Sequence, residues 1–468
     1  MKKNLLYMCL NLLIAVIFFA FAVSCKQYSV PSEEEMDIEQ EEQDEDIDLE
    51  EDEERDIDLA GPGDTIITYI DSPGIGEIAV RIAVPEIPRY SEGAPVVLDV
   101  STWFVPLAVF HMKFDATKIG AINIFHLWPG KEDHDTGAKS EGTNDFGGPD
   151  ALASLRDAIL FASGEIPDIN GYYLNELVSV NPLFDNIGLY ASSHSGVVAT
   201  NILAYFGQDL DSVKYLIGRE NPTIPEMYPL EIGHFDERRN PVYNTFYDQS
   251  GYTPTSIEVD YSTLGWIQNE DYPEGRPYHF VPNGDDYIQD GKGPTIWGKR
   301  YFSTPLTQAL LDNGVFTLET WPEDVATPQE TMDIWPYRTT VYNYEKIKEN
   351  LPDLKVMLVF ASDDHVQSAI DKPHIHQAYD GFHEKAGLWT RLNPDLAYAQ
   401  AMDESFIKKF SNNPANQEPG DWNKSRFWGH PYSNDTIEPM SLAAMAEMAD
   451  RIQADQWSPD LEEVLFDY

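Results

Sequence analysis

Apolar and polar positions follow two different periods along this chain, and each period predicts an element. Thr65–Asp71 and Glu77–Val84 are short strand-like runs on either side of Ser72-Pro73-Gly74, which predicts a hairpin. Pro95–Ser101 (PVVLDVS) and Ala121–Trp128 (AINIFHLW) are nearly continuous apolar runs, as expected of strands covered on both faces. In Pro149–Ala162 the spacing changes. Ala151, Leu152, Leu155, Ala158, Ile159 and Ala162 recur at helical intervals, with Pro149 suited to a helix start. Asn186–Ser192 predicts a strand, Gly196–Phe206 a small-residue helix and Val213–Arg219 a strand. Later, Lys355–Ser362 (KVMLVFAS) is an apolar strand, Pro373–Ala386 a helix, Leu388–Leu392 a short strand and Met440–Ile452 an Ala/Met-rich helix. A further helix is expected at Leu396–Phe410. Strands alternating with helices predict an α/β fold, with a mostly parallel central sheet and helices on both faces.

Residues 221–344 break the alternation. The stretch is rich in Tyr, Trp, Pro, Gly and Asp. A structureless loop of that length is implausible inside a domain, so it reads as an inserted cap of small helices and turns. Its aromatics include Trp266, Tyr278, Phe280, Trp297, Tyr301 and Phe302. They have two readings: the lining of an apolar or sugar-binding pocket, or the cap's own core.

The first residues carry a different signal. Lys2 and Lys3 precede an almost wholly apolar run, Leu5–Val23, and Ala22-Val23-Ser24 lead into Cys25. This resembles a bacterial lipoprotein signal with its lipobox, with Ala22 where Leu is commoner. The resemblance implies cleavage after residue 24 and lipidation of Cys25. A plain secretory peptide or an uncleaved anchor is the alternative; an isolated Cys beside such a segment favours the lipobox. No later stretch approaches the roughly 20 apolar residues needed to span a bilayer. The expectation is a soluble body tethered in the bacterial cell envelope or at its surface, outside the cytoplasm. Residues 25–62 then form a linker and 63–468 the folded domain. Within the linker, Glu33–Asp58 holds 18 acids and one base, Arg55. Such a segment self-repels and cannot bury enough surface to order itself. Its plain role is a spacer; calcium binding or surface sorting is the alternative.

The whole chain has 468 residues, with 31 Lys+Arg against 80 Asp+Glu and a net charge of −49. Counterion release onto nucleic acid needs basic patches, so the charge balance disfavours nucleic-acid binding as the main role. The two cysteines, Cys9 and Cys25, both precede the folded body. That removes disulfide scaffolds, cysteine-zinc sites, iron–sulfur clusters and thiol catalysis.

The strongest chemical signal is the passage Leu189-Tyr190-Ala191-Ser192-Ser193-His194-Ser195-Gly196-Val197. A strand runs straight into a helix through small residues. This resembles the nucleophile elbow of α/β hydrolases, small-x-Ser-x-small, in which a serine sits on a strained turn above the sheet. Ser193 is flanked at two residues by Ala191 and Ser195; Ser195 is flanked by Ser193 and Val197. A β-branched residue two positions on would crowd the turn, so Ser193 is preferred and Ser195 is the fallback. A serine merely capping the helix is the non-catalytic reading.

That resemblance implies further residues in the order serine, acid, histidine. After the strand at 355–362 comes Ala361-Ser362-Asp363-Asp364-His365-Val366, which resembles the family's acid-bearing turn, with Asp364 at the acid and Asp363 as fallback. The histidine is expected in a loop before the last helix, and His430 in Trp428-Gly429-His430-Pro431 fits that place. The oxyanion-binding N–H groups would belong to His194 and, after the strand at 95–101, to Trp103. His374-x-His376 with Asp371 and His383 is a weak metal pattern, since i and i+2 point to different helix faces; surface histidines are the plainer reading. The resemblance therefore implies a serine hydrolase, first of carboxylic esters, acting on a small-molecule or peptide substrate with no metal or organic cofactor. Peptide or amide hydrolysis in the manner of prolyl-oligopeptidase-like enzymes is the alternative, and a catalytically silent binding protein on the same fold is the rival.

Overall fold

The computed structural model describes residues 59–101, 110, 115–221, 234–235, 241–242, 264–280, 286–288, 295–296, 298–360, 373–402 and 437–457. Among these, eight strands form one sheet: β1 (Thr65–Ser72), β2 (Gly76–Ala83), β3 (Ala94–Val100), β4 (Ile122–His126), β5 (Pro182–Ser192), β6 (Val213–Arg219), β7 (Lys355–Val359) and β8 (Trp389–Leu392). Their spatial order is β1-β2-β4-β3-β5-β6-β7-β8. β1 and β2 form the expected hairpin, β2 also pairs antiparallel with β4, and every later pairing is parallel. One reversed strand at the second position, followed by the exchange of the third and fourth, defines the arrangement. This is the α/β-hydrolase fold.

The alternation of buried side chains explains the two layers. On β3, Val96, Leu98 and Val100 point into the larger core; Val97 points into the second. The larger core is closed by helices α1 (Pro149–Ala162), α2 (Ser195–Tyr205), α5 (Tyr344–Asn350) and α6 (Pro373–Asp380). The other face is closed chiefly by the C-terminal helix α8 (Ile437–Ala454), whose Met440, Met445 and Met448 are fully buried. α1 spans the predicted residues because Pro149 occupies its first turn and Asp145 accepts from the Ala151 N–H at 3.1 Å.

β5 and α6 depart furthest from the expected boundaries. β5 begins at Pro182 rather than Asn186, with a shift of register near Ile187. Asp185 and Asn186 interrupt the apolar run there, which hides the first part of the strand from periodicity. The helix expected over Pro373–Ala386 becomes α6 followed by a wider turn at Gly381–Lys385. Gly381 lies against the Tyr344 ring, where an added Cβ would come within 2.3 Å.

Within residues 221–344 the described segments include more strand than the sequence suggested. Leu264–Ile267, Arg276–Phe280 and Asp286–Ile288 form a three-stranded antiparallel sheet. Helices α3 (Thr304–Asp312) and α4 (Pro328–Ile334) follow, the latter with a capping box between Thr327 and Glu330. Strands of three to five residues carry too little alternation to be read before their partners are known. Trp266 packs edge-on against Phe302 and Phe316, with ring centroids 6.2 and 5.0 Å apart. Tyr301 and Phe302 are fully buried. These three side chains therefore belong to this region's own small core. The Trp297 residue and the Phe280 side chain lie outside the described set. The end of the region docks on α2: Asn201 Nδ2 donates to Tyr337 O at 2.7 Å, and Asn343 Nδ2 donates to Asn201 Oδ1 at 2.8 Å.

Candidate active site

β5, a central strand of the sheet, passes into α2 with only Ser193 and His194 between them. So abrupt a reversal needs a left-handed residue. Ser193 takes that conformation, at φ 57°, where a side chain other than glycine is strained. The turn is held by its hydrogen bonds. Ser193 N–H donates to Arg219 O at 2.8 Å, and Gly196 N–H donates to Ser193 O at 2.8 Å. Ser195 is fully buried; its Oγ accepts from Ser192 N–H and donates to Ser192 O, both at 2.8 Å. The two serines are thereby separated. The Ser195 hydroxyl closes the turn, while Ser193 is half-buried at the carboxyl edge of the sheet. Gly196 has a steric cause: a Cβ there would fall 0.9 Å from Asn221 Oδ1. His194 occupies the N-cap of α2.

The neighbouring strand ends are anchored just short of the other predicted site residues. Trp128 Nε1 donates to Ser101 O at 3.2 Å at the end of β3. Trp103 lies outside the described residues. At the end of β7, Asn393 donates through Nδ2 to Phe360 O at 3.2 Å and accepts from Phe360 N–H at 2.9 Å. This buried amide ties the residue after β7 to the residue after β8; Asp363, Asp364 and His365 lie outside the described residues. His430 is outside them too. The helices on either side of the undescribed stretch 403–436 are α7 (Leu396–Met402) and α8; buried Arg391 of β8 pairs with Glu447 of α8 at 3.0 Å and with Asp395, just before α7. Cys25 is likewise outside the described set. Of the histidine pattern, the His374 and His376 side chains and Asp371 are not described, and His383 sits beside the Tyr379 ring at 5.1 Å. Among the described residues no group of three His, Cys, Asp or Glu is placed to hold a metal, and no helix is long and apolar enough to cross a membrane.

Several polar residues around the elbow are not singled out by the sequence. Arg219 and Glu220 form a buried ion pair at 2.8 Å, and Arg219 Nη1 donates to Ser192 Oγ at 2.9 Å. Tyr190 donates to Ser441 Oγ at 3.1 Å; burial pushes its phenol well above the ordinary range, opposed by the nearby Arg219 charge. Burial also drives the Asp99 carboxyl well above the usual carboxylate range. His126, edge-on to Trp128 at 4.4 Å, has no hydrogen-bond partner at either ring nitrogen among the described residues. Burial lowers its pKa to about 3. The available signal was a charged or ionisable residue at the end of an apolar run: Asp99 in PVVLDVS, His126 in AINIFHLW, Arg219-Glu220 after VKYLIG.

No family model matches the chain, and no curated protein matches it. Solved structures similar to it include brefeldin A esterase, a bacterial homologue of human hormone sensitive lipase. It is 13% identical with a TM-score of 0.40, over 84% of this chain and 78% of that one. A Pyrobaculum calidifontis esterase is 12% identical with a TM-score of 0.38, over 84% and 86%. The Pyrococcus horikoshii acylaminoacyl peptidase is 11% identical with a TM-score of 0.35, over 70% of this chain. This chain spans 36% of that peptidase's length.

Proposed function

We propose that the chain is a serine hydrolase that cleaves a carboxylic ester through an acyl-enzyme. The observation that carries the reading is the left-handed Ser193 at the carboxyl end of a central strand, held there by backbone bonds while the Ser195 hydroxyl, not that of Ser193, bonds to Ser192 across the turn. A strained conformation at a single non-glycine residue persists when the surroundings over-determine it, and such residues cluster at active sites. In open α/β sheets ligands bind beyond the carboxyl ends of the strands, where Ser193 stands.

In this reading Ser193 Oγ attacks the ester carbonyl carbon while its proton passes to the His430 imidazole, oriented by Asp364. The tetrahedral oxyanion is held by the N–H groups of His194 and Trp103. Collapse breaks the bond to the alkoxy oxygen, which leaves as the alcohol with the proton from His430. Water then attacks the acyl carbon, giving its proton to His430, and the acid departs as Ser193 regains its hydrogen. The region 221–344 sets substrate choice, and a lipid on Cys25 tethers the enzyme in the cell envelope.

A fluorophosphonate probe tests the nucleophile. Labelling of the wild type is expected at Ser193, lost in Ser193→Ala and retained in Ser195→Ala. A folded wild type that takes no label refutes the hydrolase and leaves a binding protein. A panel of p-nitrophenyl esters and aminoacyl-anilides then separates ester from amide substrates; faster turnover of the anilides would overturn the ester assignment.

A further inference from the structure

We propose that Arg219 and Glu220 act together as a positioning pair that sets the orientation of the Ser193 nucleophile from the adjacent strand. The proposal rests on the reading of Ser193 given above.

Arg219 ends β6 and stands opposite Ser192 in the parallel register. It meets the elbow twice. Its carbonyl accepts from Ser193 N–H at 2.8 Å, and its Nη1 donates to Ser192 Oγ at 2.9 Å. Its Nη2 lies 2.8 Å from Glu220 Oε2 as an ion pair, with the two side chains 6% and 0% exposed. Glu220 is itself left-handed, at φ 45°, and its N–H donates to Val359 O at 2.6 Å at the end of β7. Glu220 is thus tied to the end of β7, and Arg219 beside it to the two residues of the elbow.

Stability alone does not account for this arrangement. Removing two charges from water costs so much that a buried ion pair is commonly no more stabilising than an apolar pair of similar volume. Two strained residues side by side add a further cost. What the pair supplies that an apolar pair cannot is direction. The guanidinium is a rigid fork that reaches Ser192 and Glu220 at once, which a lysine ammonium cannot match in the same geometry. Orientation of the attacking oxygen enters the transition state rather than substrate binding, so loss of the pair should lower kcat and spare KM.

The test uses the full chain, with p-nitrophenyl acetate turnover and the rate of fluorophosphonate labelling at Ser193 as readouts. The Arg219→Met/Glu220→Met double variant is expected to melt close to wild type, label at least about tenfold more slowly, and lose kcat with KM little changed. Arg219→Lys should fail to restore the rate. Ser192→Ala removes the side-chain acceptor and leaves the ion pair; its loss should not add to that of Arg219→Lys, because both break the same contact. A folded double variant that labels at the wild-type rate overturns the proposal. If the double variant does not fold, additive effects of Arg219→Lys and Ser192→Ala overturn it instead. A wild type that is not labelled at Ser193 overturns the nucleophile reading, and the pair's role with it; a labelled wild type with unaffected variants removes the pair's role alone.

Discussion

At Ser193 the backbone conformation, more than the side chain, distinguishes the residue: φ is 57°. An L side chain there carries strain that glycine does not. Ser193→Gly is therefore expected to be more stable than Ser193→Ala by about 1 kcal/mol, although neither has a nucleophile. Thermal melts of the two variants decide it; equal melting temperatures would remove the strain. A second residue-scale prediction concerns pH. Burial holds His126 at a pKa of about 3, below its ordinary 6.5. Between those values the unfolded chain binds a proton that the folded chain does not. Its contribution to stability is whole above about pH 6.5 and falls as the pH drops towards 3, by up to about 1.4 kcal/mol per unit. His126→Leu should thus gain on wild type as urea melts are taken from pH 7 to pH 4. Parallel pH profiles for the two proteins would refute this.

Among the elements, β5 and β6 show how a single glycine sets strand packing. Gly188 on β5 lies under the Tyr215 ring of β6, and a Cβ at 188 would fall 2.0 Å from Tyr215 Cε2. Both residues face the α8 side, where Tyr215 is fully buried in the second core. Gly188→Ala must displace the ring or spread the strands, and overpacking of that kind costs about 1–3 kcal/mol. Chemical denaturation should show the loss, and Gly188→Ala combined with Tyr215→Leu should recover part of it. No recovery would mean that the clash is not with Tyr215. The elements also separate what periodicity reads well from what it does not. α1 and β6 were legible to the residue, since both are long regular patterns ended by a Pro start or a charged stop. The strands of the 264–288 sheet were not, because each is defined by its partner.

For the whole molecule, the proposed lipidation of Cys25 carries its own test. The prediction is that Cys25→Ser releases the protein from the membrane fraction or blocks processing of the precursor. Fractionation and a precursor-to-mature size comparison test this. A mutant that is processed and sediments like wild type would sink the lipoprotein reading. The region at 221–344 has a core of its own around Trp266, Phe302 and Leu310, and also bonds to α2 directly behind the elbow.

By itself the sequence determined the alternation of strands and helices, the fold class and the place where a strand turns sharply into a helix through small residues. Each is a local matter: burial on two faces demands continuous apolar runs, and a tight turn demands small side chains. Ser193 was favoured over Ser195 on local crowding, but only the tertiary structure decided which hydroxyl closes the turn, through the bonds of Ser195 to Ser192. It alone decided strand order, so it alone brought Arg219 and Glu220 against Ser192 and Ser193 from 27 residues away. It also decided that Trp266, Tyr301 and Phe302 are core. A contact between strands that are adjacent in space but not in sequence leaves no period in the chain, and one aromatic side chain looks the same whether it faces a pocket or another ring.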